Sequence, residues 1–270
     1  MIRTIGRLVG GGIAAARDAV ARPLVRLGVS PNAISIAGMA LTLGAGVCYA
    51  ISCPSSPAWS LDGRAGANAW GLIALGMLLL SCACDMLDGA VARIGNRKTP
   101  FGGFLDSTLD RYADLAVYAG IAVFYSRATP ANVTFLVLCM LAVGNGFAIS
   151  YTRARAVEAG GTCLVGYWQR GERMAAVLIA TAAHNIPALV LQQAILTLPT
   201  VFRRVLHAKA VLEGKHPITD PRQGGWWLKV RLWRWPRMTV PYDIITGLNI
   251  LWLIFAPIPG NFDPLRAWLG

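Results

Sequence analysis

Acidic side chains are scarce in this chain: Asp and Glu supply 13 of 270 residues against 25 Lys and Arg, for a formal net charge of +12. Charge of either sign is thin at 14%, while 55% of residues are hydrophobic and the mean hydropathy is +0.52. That shortage excludes a water-soluble domain of any size. Cysteines are few, and Cys48, Cys53, Cys82, Cys84, Cys139 and Cys163 show no metal-finger spacing, so they read as small packing residues. No fixed-period repeat, low-complexity tract or nucleic-acid motif is visible. The N-terminus lacks the uninterrupted apolar core and small-residue cleavage site of a signal peptide. The basic residues lie beside apolar runs, so the excess positive charge points to acidic lipid headgroups and not to nucleic acid.

Long apolar runs are what the chain has instead. They fall near 32–52, 67–84, 106–126, 132–151 and 187–206, close to the roughly 17–25 residues that cross a bilayer as a helix. A shorter run lies near 173–186, and one more apolar run near 238–258. The expected fold is an all-α integral membrane protein in three parts. Residues 1–28 form an amphipathic interfacial helix, with Ile2, Ile5, Leu8, Val9 and Ile13 recurring among Arg3, Arg7 and Arg17. Residues 29–212 form a six-transmembrane-helix core. Residues 213–270 form a basic, Trp-rich extension whose segment 238–258 either spans the bilayer as a seventh helix or lies in the interface.

Arg and Lys at span ends report the cytoplasmic side. Arg3, Arg7, Arg17, Arg22 and Arg26 place the N-terminus inside, and Arg93, Arg97 and Lys98 place the second connection there too. The stretch 173–206 keeps the downstream basic residues inside only if it turns back at His184-Asn185-Ile186-Pro187, where Asn favours a turn and Pro breaks a helix. The predicted location is a cell inner or plasma membrane.

Five of the scarce acids, Asp85, Asp88, Asp106, Asp110 and Asp114, fall within thirty residues. Charges at the edge of apolar spans are costly and mark a functional site. Residues three or four apart share a helix face, so Asp85 with Asp88, and Asp106 with Asp110, point two acidic pairs toward the turn between their helices. Gly89, Gly95, Pro100, Gly102 and Gly103 allow close backbone approach there. Four clustered carboxylates call for hard cations, one or two Mg²⁺ or Mn²⁺, which commonly bridge to phosphate. Arg93 is placed to pair with a phosphate bidentately, Thr99 to add a hydroxyl, and one aspartate to take a proton from an attacking hydroxyl. Simple pairing of the acids with Arg93, Arg97, Lys98 and Arg111 is the plainer alternative. A divalent-cation transporter is another, but it would carry its acids midway along the spans.

Written D-x2-D-G-x2-A-R-x8-G-x3-D-x3-D, the segment from Asp85 to Asp110 resembles the signature of the CDP-alcohol phosphotransferase family at all eight fixed positions, with a looser likeness over about residues 24–212. The resemblance implies a membrane phosphatidyltransferase that displaces CMP from CDP-diacylglycerol with an alcohol, in phospholipid biosynthesis. It implies that Asp85, Asp88, Asp106 and Asp110 hold two metal ions, Mg²⁺ or Mn²⁺, and that Asp110 is also the general base. Pro31, Asn32, Ala33, Ile34, Gly89, Arg93, Thr99 and Gly102 become donor contacts by the same resemblance. It further implies a cytoplasmic active site and a homodimer.

Ser150-Tyr-Thr-Arg153-Ala-Arg155, Gly171-Glu172-Arg173 and Arg203-Arg204 resemble the bacterial phosphatidylinositol-phosphate synthase branch. There Arg153, Arg155, Arg173 and Arg204 would receive the phosphate of inositol phosphate. Gln169-Arg170-Gly171-Glu172 and the extension after residue 212 depart from that branch. Glycerol phosphate, an amino-alcohol and another polyol remain open as acceptors.

Overall fold

The computed structural model describes residues 2–57, 68–161, 163, 165–215, 225–233, 235, 237 and 239–269. Every regular element among them is a helix. The chain packs as two compact units, Met1–Cys53 with Ala69–Ile121, and Pro54–Asn68 with Ala122–Gly270.

The first unit contains α1 (Ile2–Arg26), α2 (Pro31–Ile51), α3 (Ala69–Ile94) and the larger part of α4 (Pro100–Ser126). The side chains of Ile2, Ile5, Leu8, Val9 and Ile13, on which the amphipathic reading of α1 rests, lie outside the described ones. The second half of α1 packs on α3: Ala21 is buried with Ile34, Ala90 and Val91, and Leu24, Val25 and Leu87 close around them. Small residues let the backbones meet, as in other membrane helix pairs. A Cβ on Gly38 would touch that of Cys84 at 3.0 Å, and one on Gly44 would meet the Met77 sulfur at 2.8 Å. Gly46 lies against the Ala116 carbonyl, and Gly120 against the Gly46 carbonyl, so α2 and α4 touch main chain to main chain. Thr42 and Ser81 share a buried hydrogen bond of 2.8 Å between α2 and α3.

The α3–α4 turn has a readable cause. Asn96 takes a left-handed conformation, φ 50°, and the Arg97 amide donates back to the Ala92 carbonyl at 2.8 Å, ending α3. Thr99 then caps α4 by accepting from the Gly102 amide at 3.0 Å, with Pro100 in the first helical position.

The second unit contains α5 (Val133–Glu158), α6 (Arg170–Ala182), α7 (Ile186–Leu196), α8 (Leu198–Leu212), α9 (Trp226–Leu232), α10 (Val240–Phe255) and α11 (Pro264–Leu269). The expected turn at His184–Pro187 is present. His184 is left-handed at φ 56°, the Asn185 amide donates to the Ala180 carbonyl at 2.9 Å, and Pro187 lies in the first turn of α7. Asn185 also donates its side-chain amide to the Ala256 carbonyl at 3.0 Å, which ties the end of α10 to this turn.

Among the described residues four stretches are long and apolar enough to cross a membrane: α2, α3, α5 and α7 continued by α8. The expected span at 106–126 lies in α4, 27 residues long, whose first half is interrupted by Asp106, Asp110, Arg111 and Asp114. The shorter run expected near 173–186 falls in α6, which at 13 residues is below spanning length. The segment foreseen at 238–258 is a 16-residue helix, α10, docked on α6 and α7. Trp252 donates to the Ala188 carbonyl at 3.0 Å and Gln192 to the Asn249 side-chain oxygen at 2.9 Å. All six cysteines are free thiols, four of them buried.

Candidate active site

The site grows from the end of α3 and the start of α4. One carboxylate oxygen each from Asp85, Asp106 and Asp110 lie within 4.8 Å of one another. Two oxygens bound to one Mg²⁺ at 2.0–2.1 Å are at most about 4.2 Å apart, so small side-chain movements suffice for the trio to grip one hard ion. An all-carboxylate donor set is that of Mg²⁺ or Mn²⁺ and not of a soft metal.

Asp88 does something different. It is 8% exposed, and the Ser35 hydroxyl donates to it at 2.5 Å while also lying 3.2 Å from the Pro31 carbonyl. The expected quartet is therefore a trio plus a neighbour turned toward α2. Asp114 sits one turn below Asp110, outside the trio.

Beside the acids opens a cavity of about 250 Å³, into which both Asp88 and Asp106 face. Of the residues expected to contact the donor, Pro31, Asn32, Gly89, Thr99 and Gly102 line it. Ala33 is exposed without lining it, and Ile34 is packed in the apolar cluster with Ala21 and Val91. Gly89 has open space where a side chain would be, so its backbone faces the cavity bare, whereas a Cβ on Gly102 would stand 3.3 Å from the Asn32 amide oxygen. Arg93 does not line the cavity. Its guanidinium donates to Asp18 of α1 at 3.1 Å, and Asp18 also takes a hydrogen bond from Arg17 at 2.7 Å. The Arg17 hydrogen bond is the chief reason the Asp18 carboxyl is held below its usual value; burial acts against it, and the charges of Arg17, Arg93 and Arg22 add to the lowering.

Ser35, the last residue of the Ser30–Ser35 entry to α2 that resembles a nucleotide contact of the family, also lines the cavity, as do Arg97 and Lys98, which the resemblance does not place among the donor contacts. A signal existed for Ser35, which lies three and four residues after Asn32 and Pro31 and so on the same helix face. From sequence Arg97 and Lys98 read as topology markers or as ion-pair partners of the acids, although a basic pair beside a capped helix start is also anion-binding chemistry.

The four arginines expected to take the acceptor phosphate all belong to the second unit. Arg153 and Arg155 are exposed near the C-terminal end of α5, and Arg155 pairs with Glu158 at 2.6 Å. Arg173 is buried in the first turn of α6. Arg204 is 1% exposed, and its guanidinium donates to the Val165 carbonyl at 3.0 Å, to the Ile149 carbonyl, and to the Gln169 side-chain oxygen at 2.9 Å. Gln169, unremarkable in sequence, turns its amide nitrogen to the Gly166 carbonyl at 2.9 Å and so fixes the loop before α6.

Apolar spanning helices, a carboxylate trio able to hold a divalent metal and a basic, glycine-lined cavity beside it mark a helical membrane protein equipped to bind a phosphorylated ligand. Residues 29–211 match the family described as CDP-alcohol phosphatidyltransferase. The chain belongs to that family and is a transferase and an integral membrane protein. It is 36% identical over 197 residues to the archaetidylinositol phosphate synthase of Pyrococcus horikoshii, covering 73% of this chain and 92% of that protein. It is 35% identical over 162 residues to the phosphatidylinositol phosphate synthase of Streptomyces avermitilis, covering 58% of each. In fold it resembles the Mycobacterium tuberculosis phosphatidylinositol phosphate synthase, solved with CDP-DAG bound, at a TM-score of 0.62 and 22% identity, over 76% of this chain and 98% of that one. The same enzyme solved with manganese and citrate gives a TM-score of 0.62, over 75% and 93%.

Proposed function

We propose that this transferase makes a phosphatidylinositol-phosphate-type lipid from CDP-diacylglycerol and inositol phosphate, at the cytoplasmic face of the membrane. The observation that carries the chemistry is the convergence of Asp85, Asp106 and Asp110. The acceptor rests on the named activities of the relatives in Pyrococcus horikoshii and Streptomyces avermitilis. The division at residues 28 and 212 and a homodimeric assembly belong to the same reading.

Asp85, Asp106 and Asp110 hold divalent metal, Mg²⁺ in the cell, with Asp88 completing the set after release from Ser35. A divalent metal held there would supply positive charge to neutralise the diphosphate and the departing CMP. Pro31, Asn32, Gly89 and Gly102 border the nucleotide, with Gly89 admitting it against bare backbone. Thr99, Arg97 and Lys98 face its phosphates, and Arg93 joins them on leaving Asp18. Asp110 accepts the proton of the acceptor hydroxyl. The acceptor oxygen bonds to the lipid-side phosphorus, the bond from that phosphorus to the CMP oxygen breaks, and CMP leaves with the electron pair.

Arg153, Arg155 and Arg173 are the acceptor-phosphate group of this proposal. Arg204 already has three acceptors on its guanidinium, so its assigned role shifts to positioning the segment that carries Arg173. The deciding experiment uses purified protein, radiolabelled CDP-diacylglycerol, Mg²⁺ and a panel of alcohols. CMP release that requires inositol phosphate supports the reading; release driven by glycerol phosphate or an unphosphorylated alcohol instead rejects it.

A further inference from the structure

A cavity of about 450 Å³ runs between α6 and α10, lined by none of the residues that line the donor cavity. One wall is α6, through Glu172, Ala175, Ala176 and Ile179; the other is α10, through Tyr242, Ile250 and Leu253. Residues 237–255 lie beyond the stretch that matches the family, 29–211, so the second wall stands outside the shared region.

Its two ends differ in chemistry. At the polar end Glu172 is 92% buried by its 8% exposure, and one carboxylate oxygen accepts from Arg237 at 2.9 Å and from Tyr242 at 3.1 Å. The other carboxylate oxygen is buried without a hydrogen-bond partner. Tyr167, bonded to Thr246 at 2.9 Å, and Trp168 stand at the same end, as aromatics do at headgroup level. Farther along, Ile179, Ile250 and Leu253 present apolar side chains, and Asn249, which also lines this stretch, has its side-chain amide donating to the Ile245 carbonyl and its oxygen accepting from Gln192. From Tyr242 to Leu253 a helix rises about 16 Å, close to the roughly 15 Å of half a hydrocarbon core.

We propose that this groove holds one membrane phospholipid with a zwitterionic phosphoethanolamine headgroup. One acyl chain lies along Ile179, Ile250 and Leu253. The phosphate faces Arg237, which is 69% exposed, and the ammonium supplies the donor that the second Glu172 oxygen lacks. A fixed carboxylate–guanidinium pair and a phosphate–ammonium zwitterion are complementary in charge, and a phosphocholine head, without N–H donors, satisfies only half of the match.

The test uses the full chain in phosphatidylcholine vesicles with a trace of phosphatidylethanolamine carrying a diazirine in its acyl chain. A phosphatidylcholine probe with the same chains serves as comparison. Photolabelling should concentrate on the peptides holding Ile179 and Ile250, with the ethanolamine lipid captured about tenfold better, as a charge-assisted hydrogen bond predicts. Glu172→Gln should bring the two probes within about twofold, and Ile250→Trp should lower both. Labelling there no higher than at exposed Leu43 and Val47 of α2 overturns the groove, a result that needs no variant. Equal capture of the two probes by the unaltered chain overturns the headgroup assignment. Displacement by CDP-diacylglycerol but not by phosphatidylethanolamine overturns the proposal by making the groove a donor-tail channel. Lipid capture is read without turnover, so failure here leaves the acceptor assay untouched.

Discussion

Arg93 of the signature donates to Asp18 of α1 at 3.1 Å, so a helix outside the family's matched stretch holds a residue inside it. The pair is partly exposed, 47% and 34% for the two side chains, so solvent screens it and it is a weak contact. Asp18→Asn should therefore release Arg93 and lower the KM for the CDP-linked donor by up to about fivefold, with the acceptor KM unchanged. A rise in donor KM would show that Asp18 orients Arg93 instead of competing for it.

Asp110→Asn should lower kcat by about 10²–10⁴-fold, the usual contribution of a positioned base. Nucleotide binding, followed by calorimetry with a cytidine diphosphate ligand, should survive. Turnover within tenfold of the unaltered enzyme, as a general-base role does not allow, would reassign Asp110 to metal holding alone.

Ser35→Ala removes the hydroxyl that satisfies the buried Asp88 carboxylate. Loss of a hydrogen bond to a charged group costs about 1.5–3 kcal/mol, and thermal unfolding in detergent should shift downward accordingly. Excess Mn²⁺ should reverse part of the loss if Asp88 then turns to the metal, and this partial rescue separates a site effect from a packing defect.

Gly46→Ala and Gly120→Ala place a methyl against a main-chain carbonyl, and each should destabilise by about 1–3 kcal/mol. Gly247→Ala in α10, where a Cβ meets open space, is the matched control and should not destabilise. Equal melting temperatures for all three would refute the close α2–α4 contact.

Asp263 accepts from the Thr134 hydroxyl at 2.6 Å and from the amides of Thr134 and Val133 at 2.9 and 3.1 Å. Burial pushes its carboxyl up, but these bonds together with one from the Arg266 amide outweigh burial and hold it below the usual 3.8. A lowered folded value means the stabilisation is complete above the unfolded value and disappears as pH falls through the folded one. Amide exchange at residues 265–268 should be slow at pH 6 and speed up, beyond the intrinsic pH effect, below about pH 4. Asp263→Asn should exchange fast at both.

The helical class, the turn at His184–Pro187 and the carboxylate centre were legible because each is a local signal: apolar run length, a breaker between two runs, and i, i+3 and i, i+4 acid spacing. The division of labour within the quartet was not. That Asp88 looks toward Ser35 depends on which face α2 offers α3, set by Gly38 against Cys84 and Thr42 against Ser81. Arg204 misled for the converse reason: an arginine near a helix end reads as solvent-facing, and only tertiary packing discloses three acceptors waiting for it in Val165, Ile149 and Gln169. Gln169 carried no pattern at all, because a side-chain amide bridging a loop leaves no periodic trace.

The meeting of Gly46 with Gly120 has a mechanical consequence. With no side chain between them, these two rods share a fixed fulcrum, and Asp110 rides about 15 Å along one arm, ten residues from it. Any shift at that fulcrum would be magnified where Asp106 and Asp110 meet Asp85, so a side chain added at Gly46 or Gly120 would disturb the carboxylate trio from a distance.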